Sequence, residues 1–328
     1  MTNKENGQVI TLTKKARRKI RWGLTAIIVC SVLIGLTAGV FVTYKIVSKP
    51  AKRPQKFSLH NYLQHAELVW SDEFDGDALD EGKWTVQKGE NGELLPRRGG
   101  YWTEDAVSVS DGKLTIKTYR GADGNFYTGA VQTDEKYESK YGYYEARCKL
   151  PKAYGIWSAF WLMPGGGLME TENPDSAVAG AEIDVFESPA YPYDLVQQAI
   201  HVGGYGNNHR SAINLKWLVT SYGNVYDEFH TYGVFWSEDI YIFYVDGQEV
   251  WKTSMNENVS KVAEYLILSV EVGGSVVDGV PTPGNAWGNP LFKSPDTDAN
   301  DWTTSADFVI DYVRHYRLDD NTEYFYGD

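Results

Sequence analysis

From about residue 66 onward, short segments rich in Val, Ile, Tyr, Phe and Trp recur between Gly, Asp and Asn turns, among them 106–109, 113–117, 143–150 and Tyr241–Val245. Segments this short and this regularly interrupted cannot build long helices, and their spacing is that of an antiparallel sandwich or barrel. The sharpest local signal is the run 240–251, which places Asp246-Gly247 in a tight hairpin turn. Aromatic residues make up 14% of the chain, with 11 Trp and 23 Tyr, which suits an all-β body and a cleft that stacks on rings. No internal repeat is visible, and about 250 residues fit a single all-β domain.

The N-terminal part obeys different rules. Residues 22–44 run for 23 positions without a charge, the length needed to cross a hydrocarbon core of about 30 Å. This predicts one N-terminal transmembrane helix, longer than the apolar region of a cleaved signal peptide. Ile27, Ile28 and Val29 precede Cys30, and these are not the small residues expected before a lipidated cysteine. Residues 1–21 read as a basic cytoplasmic tail, held inside by Lys14, Lys15, Arg17, Arg18, Lys19 and Arg21. Lys45, Lys49, Lys52, Arg53 and Lys56 follow the span, so the charge asymmetry is small. Residues 45–66 read as a tether, 67–318 as the folded domain and 319–328 as a tail.

Residues 1–60 hold 12 Lys or Arg and one acid, Glu5, which leaves 19 basic and 43 acidic residues in the remainder, net −24. A body so acidic excludes nucleic acid as partner, because phosphate binding needs a positive surface. Cys148 is the only cysteine after the apolar run, so the domain forms no internal disulfide. That suits a Gram-positive cell surface. The expected location is the cell membrane, with a single span and the domain outside.

Chemistry concentrates in Gly180-Ala181-Glu182-Ile183-Asp184-Val185-Phe186-Glu187-Ser188. On a strand, Glu182 and Asp184 share one face while Ile183 and Val185 point into the core. Regular alternation would send Glu187 the wrong way, and a one-residue bulge near Val185 and Phe186 would bring it back. Three acids on one face repel one another. Retaining glycosidases need two close carboxyl groups, a nucleophile and an acid/base. Asp184 between them would support the nucleophile and help keep Glu187 protonated. A solvated acidic strand and a calcium site are other readings of the same segment.

In its context this motif resembles glycoside hydrolase family 16. The markers include Leu68-Val69-Trp70-Ser71-Asp72-Glu73-Phe74, Tyr141-Gly142-Tyr143-Tyr144-Glu145-Ala146-Arg147, Gly155-Ile156-Trp157 through Trp161-Leu162-Met163, Phe229-His230, and Val309-Ile310-Asp311-Tyr312-Val313-Arg314-His315-Tyr316. The resemblance implies a jelly-roll, concanavalin-like β-sandwich with Glu182 as nucleophile, Asp184 as its support and Glu187 as acid/base. The spacing of five between the glutamates is similar to that of the bulged, laminarinase-like branch. It further implies that Trp157 and Trp161 stack on sugar and that His201 contacts substrate or acid. His230 and His315 read as structural. Catalysis would need no cofactor. A structural calcium ion would be held through Glu73 and Asp311.

Two departures concern the substrate. The loop 91–102 is lengthened, and Ser269 and Glu271 stand where many laminarinases carry Asn and Ala. By parity Ser269 and Glu271 share a face, and a further carboxylate there would bind hydroxyls of a neutral glycan and discourage acidic polymers. The implied activity is endo-hydrolysis of a neutral polysaccharide, β-1,3-glucan first, by a monomer. Endo-β-galactosidase or agarase-type hydrolysis, transglycosylation of envelope glycans and non-catalytic carbohydrate binding are the alternatives.

Overall fold

A computed structural model describes residues 57–153, 155–189, 195–217, 225–284 and 306–319. The expected span 22–44 lies outside them, as do residues 1–21 and most of the tail. Among the described residues no helix is long and apolar enough to cross a membrane.

Two sheets carry the domain, one of 11 and one of 8 strands among the described residues, antiparallel throughout except where Gly100–Trp102 runs parallel to Phe126–Thr128. The larger runs Gln248–Thr253, Tyr241–Val245, His230–Trp236, Gly142–Lys149, Ala306–Arg317 and Lys113–Arg120, then three short strands. The smaller is ordered Arg210–Trp217, Leu195–Val202, Glu182–Ser188, Ile156–Pro164, Glu264–Val272, Ala130–Gln132 and Thr85–Val86. The hairpin forms as expected: Val245 pairs with Gln248, and Asp246 and Gly247 have φ of 48° and 72°, the left-handed pair of a type I′ turn.

The core lies between the sheets and follows period-two alternation. Phe160 and Leu162, Ile183, and Leu266, Leu268 and Val270 face inward from the smaller sheet. Tyr144, Ala146, Val234, Trp236, Phe243, Phe308 and Ile310 meet them from the larger. The intervening residues of the smaller sheet, Trp157, Ala159, Trp161, Ser269 and Glu271, line an open cavity on its other face. His230 and His315 are structural: His230 bonds Asp246 at 2.7 Å, and the buried His315 stacks on Tyr144 at 3.8 Å.

The expected tether needs correcting. Its last ten residues are folded onto the outer face of the larger sheet. Ser58 caps a short helix, Leu59–Leu63, by accepting from the Asn61 amide. Leu59 and Tyr62 pack with Tyr143, Phe235, Ile242 and Tyr244, and Phe57 stacks on Phe235 at 4.2 Å. The physical reason is that Tyr241–Val245 is apolar on both faces, so its outer face also needs cover.

One buried carboxyl anchors the start of the carboxylate strand. Glu264, fully buried, accepts from the Ala181 amide at 3.0 Å. Burial raises its pKa to about 8.

Two outcomes follow. Tyr62→Ala is expected to lower the unfolding free energy by about 3 kcal/mol in denaturant titration, whereas an undocked tether would leave it unchanged. Because Glu264 stays neutral in the fold while the unfolded carboxyl ionises from its ordinary 4.5, it stabilises fully below that pH. This contribution drains away as pH rises toward about 8. Glu264→Gln keeps an acceptor for Ala181 and should flatten the decline in unfolding free energy between pH 5 and 8.

Candidate active site

The strand Glu182–Ser188 carries the expected bulge. Against Ile156–Pro164, Phe160 pairs with Phe186 and Trp161 with Asp184, so Val185 has no partner in that register. Against Leu195–Val202, the register slips between Asp184, opposite Ala199, and Glu187, opposite Gln197. Val185 and Phe186 both turn into the core, at 1% and 0% exposure. Both can be inward-facing only because the bulge adds a residue, and the same residue returns Glu187 to the face of Glu182 and Asp184. All three line one cavity of about 540 Å³, within the range of sites for small ligands.

Taken out of water, the three carboxyls are pushed toward their neutral forms. Burial raises Asp184 to about 8. Burial, and then the charge of Asp184, raise Glu187 to about 8, while an amide hydrogen donated by Gln197 to its Oε2 opposes the rise. Glu187 is therefore protonated at neutral pH, as a general acid must be. Glu182 is also raised, by burial and then by Asp184, with His201 and Arg97 opposing. It is the least buried of the three. The three cannot all be ionised together, and the anion belongs where exposure and positive neighbours are greatest.

The remaining expected residues divide. Trp157, Trp161, His201 and Glu271 line the cavity. Trp161 donates from Nε1 to Ser269 Oγ at 3.1 Å, which fixes its ring. His201 sits across from Glu182, with Nε2 at 3.4 Å from Asp184 Oδ2. Glu271 is on the expected face, but its carboxylate is not open to sugar hydroxyls as expected. Arg97 Nε reaches its Oε1 at 2.5 Å, and Arg98 Nε donates to its Oε2. The Arg98 guanidinium also lies 4.1 Å over the Trp157 ring, covering part of the stacking face.

Glu73 and Asp311 are not in this cavity. Arg314 takes Glu73 in a two-pronged bond, at 2.9 and 2.7 Å, and holds its carboxyl below the usual range. Arg147 binds Asp311 at 2.5 Å. Carboxylates occupied by guanidinium do not fit the oxygen cage of a calcium ion, so no step is assigned to calcium. Among the described residues the one group of three ligand side chains is Glu182, Asp184 and His201.

Several site residues went unseen in the sequence: Arg97, Arg98, Gln197, Tyr205 and His209. The arginines belong to the lengthened loop 91–102, whose departure was visible although its contact was not. Tyr205, within Gly203-Gly204-Tyr205-Gly206 after the His201 strand, donates its hydroxyl to Glu182 Oε2. His209 Nε2 and His201 Nδ1 share a hydrogen at 2.9 Å.

A family model, the GH16 domain of β-porphyranases A–D, matches residues 67–318. A glucan endo-1,3-β-glucosidase A1 of Niallia circulans is 30% identical over 84% of this chain, which spans only 43% of that protein's length. A β-glucanase of Rhodothermus marinus is 28% identical, covering 77% of this chain and 86% of its own. Among solved structures, the catalytic domain of an endo-1,3-β-glucanase (laminarinase) from Thermotoga petrophila RKU-1 superposes with a TM-score of 0.60 at 27% identity. It covers 78% of this chain and 99% of that one. The family match over nearly the whole described domain agrees with the bulged carboxylate strand and the sandwich that carries it: the chain belongs to glycoside hydrolase family 16.

Proposed function

We propose that the chain is a retaining endo-glycoside hydrolase that cleaves internal β-linkages of a polysaccharide, β-1,3-glucan before others. The observation that carries this reading is the bulge that gathers Glu182 and Glu187 on one cavity. Its relatives named as endo-1,3-β-glucanases support the choice of glucan.

In the first step Glu182 attacks the anomeric carbon. Glu187 passes its proton to the departing glycosidic oxygen, and the glycosyl ester on Glu182 retains the other half of the chain. Glu187, now a carboxylate, takes a proton from water, which attacks the same carbon and releases Glu182. Burial keeps the proton on Glu187, and Asp184 reinforces it at any pH where its own carboxyl ionises. Loss of that proton sets an alkaline limit near pH 8, above which activity falls. The uncharged run 22–44 supports a location on the outer side of a membrane, where such polymers lie.

A second reading of the substrate is favoured by Arg97 and Arg98. Two guanidiniums share one carboxylate, and both side chains remain partly open to the cleft, at 40% and 38% exposure. At the Glu271 end of the cleft, away from Glu182, this leaves one guanidinium beyond what that carboxylate neutralises, which supports a sugar bearing an anionic group there, against the expectation of a strictly neutral polymer.

Laminarin, agarose and a keratan-like galactan, digested in parallel and read by product mass, separate the substrates: laminarin should yield oligosaccharides, and cleavage of a galactan alone would overturn the choice of glucan. Glu182→Gln and Glu187→Gln should each lower turnover by at least about 10³-fold with unchanged circular dichroism. Full activity in either removes that residue from its role. Should an anionic polymer be the substrate, Arg98→Ala would raise KM for it at least about tenfold, an effect that added salt reproduces.

A further inference from the structure

A nucleophile must be anionic, yet the surroundings of Glu182 work against ionisation. Burial is the chief cause, and Asp184 and Glu187, which face it from its own strand, add repulsion whenever either of them is ionised. Tyr265, from the strand Glu264–Val272, senses the Glu182 charge as well. Against these stand His201 from the neighbouring strand, with His209 behind it, and Arg97 from the lengthened loop, which Glu271 partly neutralises. Neither Arg97 nor His201 hydrogen-bonds Glu182.

The loop between Leu195–Val202 and Arg210–Trp217 supplies one. Tyr205 leaves 58% of its surface exposed, but its hydroxyl enters the cavity and donates to Glu182 Oε2. The loop is built to hold it there. Gly203 and Gly204 have φ of 79° and 70°, and a Cβ on either would meet backbone oxygen, Asn208 at 2.2 Å or Met169 at 2.5 Å. Glycine thus lets the loop press against its neighbours and turn the Tyr205 hydroxyl inward. The same loop delivers His209 to His201.

We propose that Tyr205 is a positioning residue for the glycosylation step: its hydroxyl holds Oε2 of Glu182, orienting the carboxylate and leaving Oε1 free to attack. A hydrogen bond donated to the charged form also favours that form over the neutral one. The inference rests on the reading of Glu182 as nucleophile but not on the identity of the sugar.

The test uses the full-length chain carrying ¹³C at glutamate side-chain carboxyl carbons, followed by NMR from pH 4 to 9. The Glu182 signal is identified by its loss in Glu182→Gln. In Tyr205→Phe the Glu182 midpoint should rise by about one unit, a tenfold loss in ionisation constant, with Glu187 moving less. Tyr205→Ala should match it. An unchanged midpoint in Tyr205→Phe overturns the proposal, and so does a shift seen only in Tyr205→Ala, which would assign the effect to the ring. On laminarin, the acid limb of kcat/KM should move up by the same amount. If the unmodified chain leaves laminarin intact, that failure belongs to the substrate reading, and the carboxyl titration still decides the role of Tyr205.

Discussion

One extra residue in one strand organises the site. A regular strand would divide Glu182, Asp184 and Glu187 between core and cavity, burying one acid in the apolar sandwich at a cost of several kcal/mol. The bulge lets Val185 and Phe186 both join the core while the acids share the open face. Packing and chemistry are therefore satisfied by the same irregularity. The flanking strands hold it in place: Phe160 opposes Phe186 on one side and Gln197 opposes Glu187 on the other. Gln197 also donates to the Glu187 carboxyl, so strand register and acid orientation are fixed together.

Gathering acids creates an electrostatic problem that the surrounding elements resolve unequally. Asp184 and Glu187 are nearly sealed, at 2% and 8% exposure, and remain neutral. Glu182 meets Arg97, His201 and the Tyr205 hydroxyl, which favour its anion. Environment alone thus sets the two glutamates apart, as the proposed roles of nucleophile and acid require. Arg97 and Arg98 serve a second purpose by neutralising Glu271, a carboxylate that would otherwise add to the repulsion in the cavity.

What could be read in advance was whatever depends on neighbours in sequence. Alternation placed Ile183 in the core and Ser269 with Glu271 on one face, and the conflict at Glu187 announced the bulge. Asp246-Gly247 declared its turn. Contacts between distant segments were hidden. Arg97 and Glu271 are 174 residues apart, and nothing local to either indicates that the loop folds over the cleft. Tyr205 carries no motif beyond its flanking glycines. The docked segment 57–66 left one sign, the run Tyr241–Val245 with apolar residues on both faces, whose outer face demands a partner that alternation cannot name.

The central claim is that Glu182 forms a covalent bond to sugar while Glu187 handles the proton. An activated 2-deoxy-2-fluoro β-laminaribioside slows breakdown of the glycosyl-enzyme and traps it. Peptide mass mapping of the trapped protein should place one adduct on Glu182. An adduct on Glu187, or release of a product with inverted anomeric configuration, would contradict the account.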